Sequence, residues 1–180
     1  RIPAGGLVVT MGIDCQGDRV EWQTVAWGRE RRRWIVDCGV IPGHISEERC
    51  QTVLDGLVGQ TWLNAYGHRL AADLIAIDGN AYTEDVWEWV RRWPAGRVIM
   101  VRGIGSETAP LLVRVKRERN SKGMIVRYSK RFYNFATSVL KMALYRNLPK
   151  DDPTARGFVG LPTGLEDEFY RQLTAASRRQ

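Results

Sequence analysis

The amino-acid sequence predicts an α/β fold: a mixed sheet of three antiparallel strands followed by parallel strands, flanked by helices, with an added basic β-hairpin. Three observations carry this. The chain opens with three strand-like runs joined by short connections, which antiparallel pairing permits and parallel pairing does not. Downstream, apolar strand-like runs alternate with segments of helical period, the pattern of strand–helix–strand units. Two of the apolar runs each deliver an aspartate to their C-terminal edge, Asp14 in one and Asp78 in the other.

Taken in order, Leu7–Cys15 is a nearly continuous apolar run and reads as a buried strand. Arg19–Trp27 alternates apolar and polar residues, as a strand with one wet face does. Gly28–Arg31 is a turn, Arg33–Val40 a third strand, and Pro42-Gly43 ends the meander. Ser46, with Glu48 behind it, opens a helix expected to run to Leu63, on which Cys50, Val53, Leu54, Leu57 and Val58 fall at helical intervals. Leu70–Ile77 is apolar almost throughout, as expected of a strand with parallel neighbours. Thr83 is read as the cap of a second helix, with Glu84 and Asp85 in the first turn, where the helix dipole favours acids. Val86, Trp89 and Val90 give that helix an apolar face, and Pro94 and Gly96 end it. Arg97–Val101 is the fifth strand.

After a loop containing Gly103 and Gly105, Leu111–Arg119 and Met124–Tyr128 around Asn120-Ser121-Lys122-Gly123 read as a hairpin. Asn134–Arg146 has the spacing of a third helix, with Phe135, Val139, Leu140, Met142 and Ala143 as core candidates. Leu148–Gly164 is irregular, and Leu165–Thr174 is a short acidic last helix. Three antiparallel strands, then helix, strand, helix, strand and further helices is the order of the ribonuclease-H-like architecture. In that arrangement the first and fourth strands are neighbours, which would bring Asp14 and Asp78 together.

The 180 residues suit one domain, 1–180, with apolar content sufficient for a core. The chain starts at Arg1-Ile2-Pro3 without an initiator Met and closes on Arg178-Arg179-Gln180, so it is expected to be part of a longer protein. No apolar run approaches a membrane span, and no membrane partner is expected. Three unpaired-looking cysteines, Cys15, Cys38 and Cys50, point to a reducing compartment, and no His or Cys spacing suggests zinc. Cys15, beside Asp14, reads as a small strand-end residue rather than a nucleophile.

The net charge of +7 is localised. Arg114, Lys116, Arg117, Arg119, Lys122, Arg127, Lys130 and Arg131 face a single acid, Glu118, and the rest of the chain balances to zero. A basic element on a neutral body is the footprint expected for a polyanion such as DNA. Arg102, near Gly103 and Gly105, is a further candidate for the same groove. Most of the seven tryptophans occupy core-like positions.

A single aspartate after a strand is ordinarily a turn or capping residue; Asp18 is read as a turn residue and Asp37 as a strand-end or outer-shell acid. Two strands ending in Asp side by side are different, because paired like charges are costly unless a cation neutralises them. Hard divalent cations take oxygen ligands.

Several stretches resemble the nuclease domain of lambda-type phage terminase large subunits. GIDCQGDRVEWQTVAWG, from Gly12 to Gly28, is similar to that family's G-[IV]-D-x-Q-x-D-R opening and a second strand ending in Trp-Gly. RRRWIVDCGVIPG resembles its third strand, IAIDGNAYTEDVWEWV its fourth strand and following helix, and GLPTGLEDEFYRQLTA its closing motif. The chain departs at Ala176, where the family often has Glu, and at Ser138-Val139, where a Lys–acid pair is common.

The resemblance implies a Mg²⁺- or Mn²⁺-dependent endonuclease that cuts duplex concatemeric DNA with two ions. Asp14 would bridge the ions, Asp78 would hold one, and a third carboxylate is expected at Asp167, with Glu166 next, inside Glu166–Glu168. The implied partners are double-stranded DNA, an ATPase domain of the same chain, a small terminase subunit and the portal. The implied location is the cytoplasm of the infected bacterial host. The alternatives are another ribonuclease-H-like nuclease of resolvase or transposase type, or a non-catalytic DNA-binding or motor-docking module.

Overall fold

The computed structural model describes residues 1–115, 119, 121–124 and 132–174. The opening meander is as expected: β1 (Val8–Cys15), β2 (Arg19–Trp27) and β3 (Arg33–Pro42) pair antiparallel in sequence. Helix α1 covers Glu48–Gly59 and α2 covers Thr83–Val90, with β6 (Leu74–Asp78) between them and β7 (Val98–Ile104) after. β8 (Leu112–Arg114), β9 (Phe132–Ala136), α3 (Thr137–Asn147), β10 (Val159–Gly160) and α4 (Asp167–Thr174) complete the chain. Among the described residues eight strands form one mixed sheet in the order β10-β3-β2-β1-β6-β7-β9-β8. β1, β6, β7 and β9 run parallel to one another.

One face of this sheet carries the core. Val9, Met11 and Ile13 of β1, Ile75 and Ile77 of β6, and Val98 and Met100 of β7 alternate onto it. Leu54, Leu57 and Val58 of α1 and Val86, Trp89 and Val90 of α2 close over them, at the spacings read from the sequence. No helix among the described residues is long and apolar enough to cross a membrane.

Several expectations are corrected. The first helix stops at Gly59 rather than Leu63; Thr61–Leu63 is β4, which pairs with β5 (Arg69–Ala71) in a separate two-stranded sheet. Asn64 makes that hairpin, its side-chain carbonyl accepting the Tyr66 and His68 amides at 2.9 Å each. The run Leu70–Ile77 is therefore not one strand. It breaks at Ala72-Asp73, where Asp73 Oδ2 accepts the Val9 amide at 2.8 Å and pins the start of β1 beside β6.

Thr83 is the first residue of α2 and not its cap; its hydroxyl donates to the Gly79 carbonyl at 2.6 Å. The third helix begins at Thr137 rather than Asn134, because Asn134–Ala136 pairs with both β7 and β8. No residue of α3 is buried, and Leu140 and Met142, expected in the core, are 43% and 54% exposed. The hairpin partner of Leu112–Arg114 is Phe132–Ala136. The expected return strand lies mostly outside the described residues, as do Lys116, Arg117, Arg127, Lys130 and Arg131.

Candidate functional site

Residues that alternate away from the core form the floor of a cleft of about 1120 Å³. Thr10, Gly12 and Asp14 of β1, Leu74, Ala76 and Asp78 of β6, and Ile99 and Val101 of β7 line it, with Glu166, Glu168, Phe169 and Gln172 opposite. Phe169 stands one residue, and Gln172 four, after Glu168, so all three share one side of α4. The cleft thus lies between α4 and the sheet face that α1 and α2 leave open.

The β1–β6 register pairs Ile13 with Ile77, so the next residues, Asp14 and Asp78, emerge side by side at the C-terminal ends of two parallel strands. Neighbouring strands are about 4.8 Å apart. Asp14 is exposed and accepts a hydrogen bond from Gln16 Nε2 at 3.3 Å. Asp78 is half-buried, and the Asn80 amide donates to its Oδ1 at 2.9 Å. Burial pushes the Asp78 carboxyl above its ordinary range; the Asn80 hydrogen bond opposes this, and the Asp14 charge adds to it. Cys15 points into the core, where burial, helped by Asp14 and Asp78, pushes its thiol up to about 12. It is not a nucleophile at neutral pH.

Residues 1–180 match the family model for the terminase large subunit gpA, endonuclease domain. The chain belongs to this terminase endonuclease family. The terminase large subunit of Escherichia phage lambda is 26% identical over 182 residues, covering 97% of this chain and 27% of that protein. The terminase large subunit of Enterobacteria phage P21 is 27% identical over 158 residues, covering 85% of this chain and 23% of that protein. The chain therefore spans about a quarter of the length of these curated relatives. No solved structure matches it.

In this terminase endonuclease domain the donors at the Asp14–Asp78 edge are oxygens, which suits a hard divalent cation. The crowding of Asp14 on a half-buried Asp78 is the strain that such a cation relieves. Among the described residues, no group of three or more His, Cys, Asp or Glu side chains is gathered closely enough to hold a metal ion, so no third carboxylate has joined the pair. Mg²⁺ is commonly held by one or two carboxylates and keeps several waters. The pair therefore fits such an ion by donor chemistry.

The other expected site residues are distributed as follows. Glu166 and Glu168 line the cleft; Asp167, which opens α4, does not. Arg102 falls in register with Val98 and Met100, on the sheet face opposite the acids. Its guanidinium lies 5.0 Å from the Phe132 ring centroid and donates to Asn134 Oδ1 at 3.2 Å. Arg114, Arg119 and Lys122 are exposed, and Arg119 donates to the Gly123 carbonyl at 3.3 Å. Asp37 lies within β3, where it accepts the Trp62 indole N–H and its neighbour Cys38's amide at 3.0 Å each.

Sequence reasoning missed Glu21, which lines the cleft directly across from Asp14 on β2. The signal was present. A tight turn at Gln16–Arg19 makes Cys15 pair with Val20, and Asp14 must then pair with Glu21. Trp27, not singled out from the sequence, also lines the cleft and donates to Thr10 Oγ1 at 2.7 Å.

Proposed function

We propose that this domain is a Mg²⁺- or Mn²⁺-dependent endonuclease of ribonuclease-H-like architecture that hydrolyses phosphodiester bonds of duplex, concatemeric phage DNA during packaging. The observation that carries the reading is the adjacency of Asp14 and Asp78 at the carboxyl ends of two parallel strands, in a chain that matches a terminase endonuclease family over its whole length. Open α/β sheets bind ligands at that edge.

Asp14 and Asp78 would hold the metal, with two ions in the complete reaction. Bound divalent ions would supply an activated water and charge neutralisation on the attacking and leaving oxygens. Gln16 and the Asn80 amide orient the two carboxylates. Leu74, Ala76, Ile99 and Val101 give the cleft an apolar floor that limits water beside the acids. Arg114, Lys116, Arg117, Arg119, Lys122, Arg127, Lys130 and Arg131 would track the DNA backbone, contacts that position a duplex without reading its sequence. Arg102, on the opposite face, is assigned no role here.

In the proposed setting residues 1–180 act as one domain of a longer chain in the cytoplasm of the infected host. The ATPase part of that chain, a small terminase subunit and the portal are its partners, and the small subunit supplies the choice of cutting site.

The test is incubation of supercoiled plasmid with the domain and Mg²⁺ or Mn²⁺. Nicked and linear products that vanish with chelator support the reading. Strong preference for four-way junctions would move the assignment to a resolvase-type nuclease. Among the described residues no third carboxylate is gathered closely enough with Asp14 and Asp78 to hold a metal ion, which favours one second reading, a DNA-gripping module without catalysis. It requires salt-sensitive DNA binding with no cleavage and no bound metal.

The third carboxylate is proposed to come from Glu166 or Glu168, since both already line the cleft. Separate Glu166→Gln and Glu168→Gln variants are expected to include one that loses about tenfold or more in cleavage rate, the scale of one misplaced ligand shell. Asp167→Asn is expected to stay within about twofold of the parent. A large loss in Asp167→Asn alone would return the role to Asp167.

A further inference from the structure

We propose that Arg19 is a phosphate-binding residue at the catalytic edge, held ready for DNA by Glu21. This rests on the reading of Asp14 and Asp78 as the reacting end of the cleft. The cleft lining includes the carboxylates of Asp14, Glu21, Asp78, Glu166 and Glu168, and among the described residues no lysine or arginine. A DNA backbone brings a negative charge with every phosphate, so its approach to that wall requires cations at the rim.

Arg19 is the residue placed to supply one. It stands two positions before Glu21 on β2, hence on the same side of the strand, and Glu21 is the cross-strand partner of Asp14. The guanidinium therefore lies at the edge of the sheet just beyond Asp14. Its Nε donates to Glu21 Oε1 at 2.8 Å and its Nη1 to Asp18 Oδ1 at 3.2 Å.

The turn that carries Arg19 is tied down at several points. The Gln16 amide donates to the Arg19 carbonyl at 2.9 Å and the Gly43 amide to the Asp18 carbonyl at 2.8 Å. Gly17 packs so closely against the Tyr82 hydroxyl that an added Cβ would come within 3.2 Å of it. A guanidinium already fixed in position loses little freedom on meeting a phosphate, and its planar fork matches two phosphate oxygens. Glu21 is thus a positioning residue, acting through Arg19. The Arg19–Asp18 pair, with Asp18 well exposed, adds little stability by itself, and the half-buried pair with Glu21 holds the guanidinium in place for a ligand.

The experiment is duplex binding by fluorescence anisotropy over a salt series, with Ca²⁺ as the divalent ion, paired with Mn²⁺ binding followed by electron paramagnetic resonance. Arg19→Gln is expected to weaken DNA binding about 3- to 10-fold and to reduce the slope of log K against log salt by about 1. Arg19→Lys, which keeps the charge, is expected to retain the slope. Glu21→Gln is expected to keep the slope while weakening binding less than Arg19→Gln. Mn²⁺ binding to Arg19→Gln should match the parent. Parental DNA affinity and slope in Arg19→Gln, whether or not its melting temperature falls, overturn the proposal. Failure of the parent protein to bind Mn²⁺ would instead count against the reading of Asp14 and Asp78 and leave the salt slope to judge Arg19.

Discussion

Asp14→Asn is expected to lower DNA cleavage by about 10²–10³-fold or more while leaving the fold intact. Asp14 is exposed and accepts a hydrogen bond from the neighbouring Gln16 side chain, so the substitution removes no core contact. Ile13 and Cys15, on either side, are buried and keep β1 in register. What the substitution removes is one of two anionic groups at the edge where a divalent ion is proposed to bind. Asp78 is crowded first by burial and then by the charge of Asp14, so Asn at position 14 relieves part of that cost.

The expected signature is therefore double. Without divalent ions Asp14→Asn should melt at or slightly above the temperature of the parent. With Mn²⁺ the parent should rise in melting temperature and Asp14→Asn should not, since an ion bound only by the native state stabilises it by mass action. Asp78→Asn should behave alike. Full cleavage in either variant, measured on supercoiled plasmid, would sink the proposed function.

Trp89→Ala is expected to be the most destabilising change of those considered, at about 3–5 kcal/mol. Trp89 is fully buried and is the largest of the fully buried side chains; its indole N–H donates to Asp55 Oδ1 at 2.8 Å, and its ring stacks tilted against Trp93 at 6.1 Å. Removing it opens a cavity between α2 and the sheet that a backbone tied at both ends of α2 cannot close. Such a loss is a large share of the ~5–15 kcal/mol that holds an ordinary domain together. Trp89→Phe keeps most of the volume and is expected to cost less. Asp55, although it loses the indole, remains paired with Arg92.

Urea unfolding is the measurement, with the midpoint shifted and the slope unchanged. A shift worth less than ~1 kcal/mol in Trp89→Ala would show that the site repacks, contrary to expectation. The change bears on function because α2 starts five residues after Asp78. Gly79 and Tyr82 join the two, with the Thr83 hydroxyl and the Asn80 amide stitching the connection, so loosening α2 frees the end of β6.

The parts of the fold that could be read in advance are those with local causes. The alternation in Arg19–Trp27 and the three-to-four spacing of Val86, Trp89 and Val90 each name the face that is buried, because side-chain direction follows from backbone geometry within a few residues. The misread stretches have a common cause. Thr61–Leu63 and Asn134–Ala136 are short apolar runs beside helices, where helix and strand periods cannot be told apart. Pairing with Arg69–Ala71 in one case, and with β7 and β8 in the other, decided them. α3 looked like a core helix because its apolar residues are well spaced. It lies instead on the cleft side of the sheet, where Leu140 borders open space.

By itself the sequence determined that two apolar strands end in Asp14 and Asp78, that the net charge is concentrated between Arg114 and Arg131, and that the chain resembles a terminase nuclease. Those are properties of single segments. Tertiary structure alone decided which distant segments meet. Asp73 clamps Val9 across 64 positions and so sets the β1–β6 register that puts Asp14 next to Asp78. The start of α4 at Asp167 turns Glu168, with Phe169 and Gln172, toward the cleft, and leaves Asp167 off it. Both outcomes depend on hydrogen bonds and packing between residues far apart in the chain, and local spacing carries no record of them.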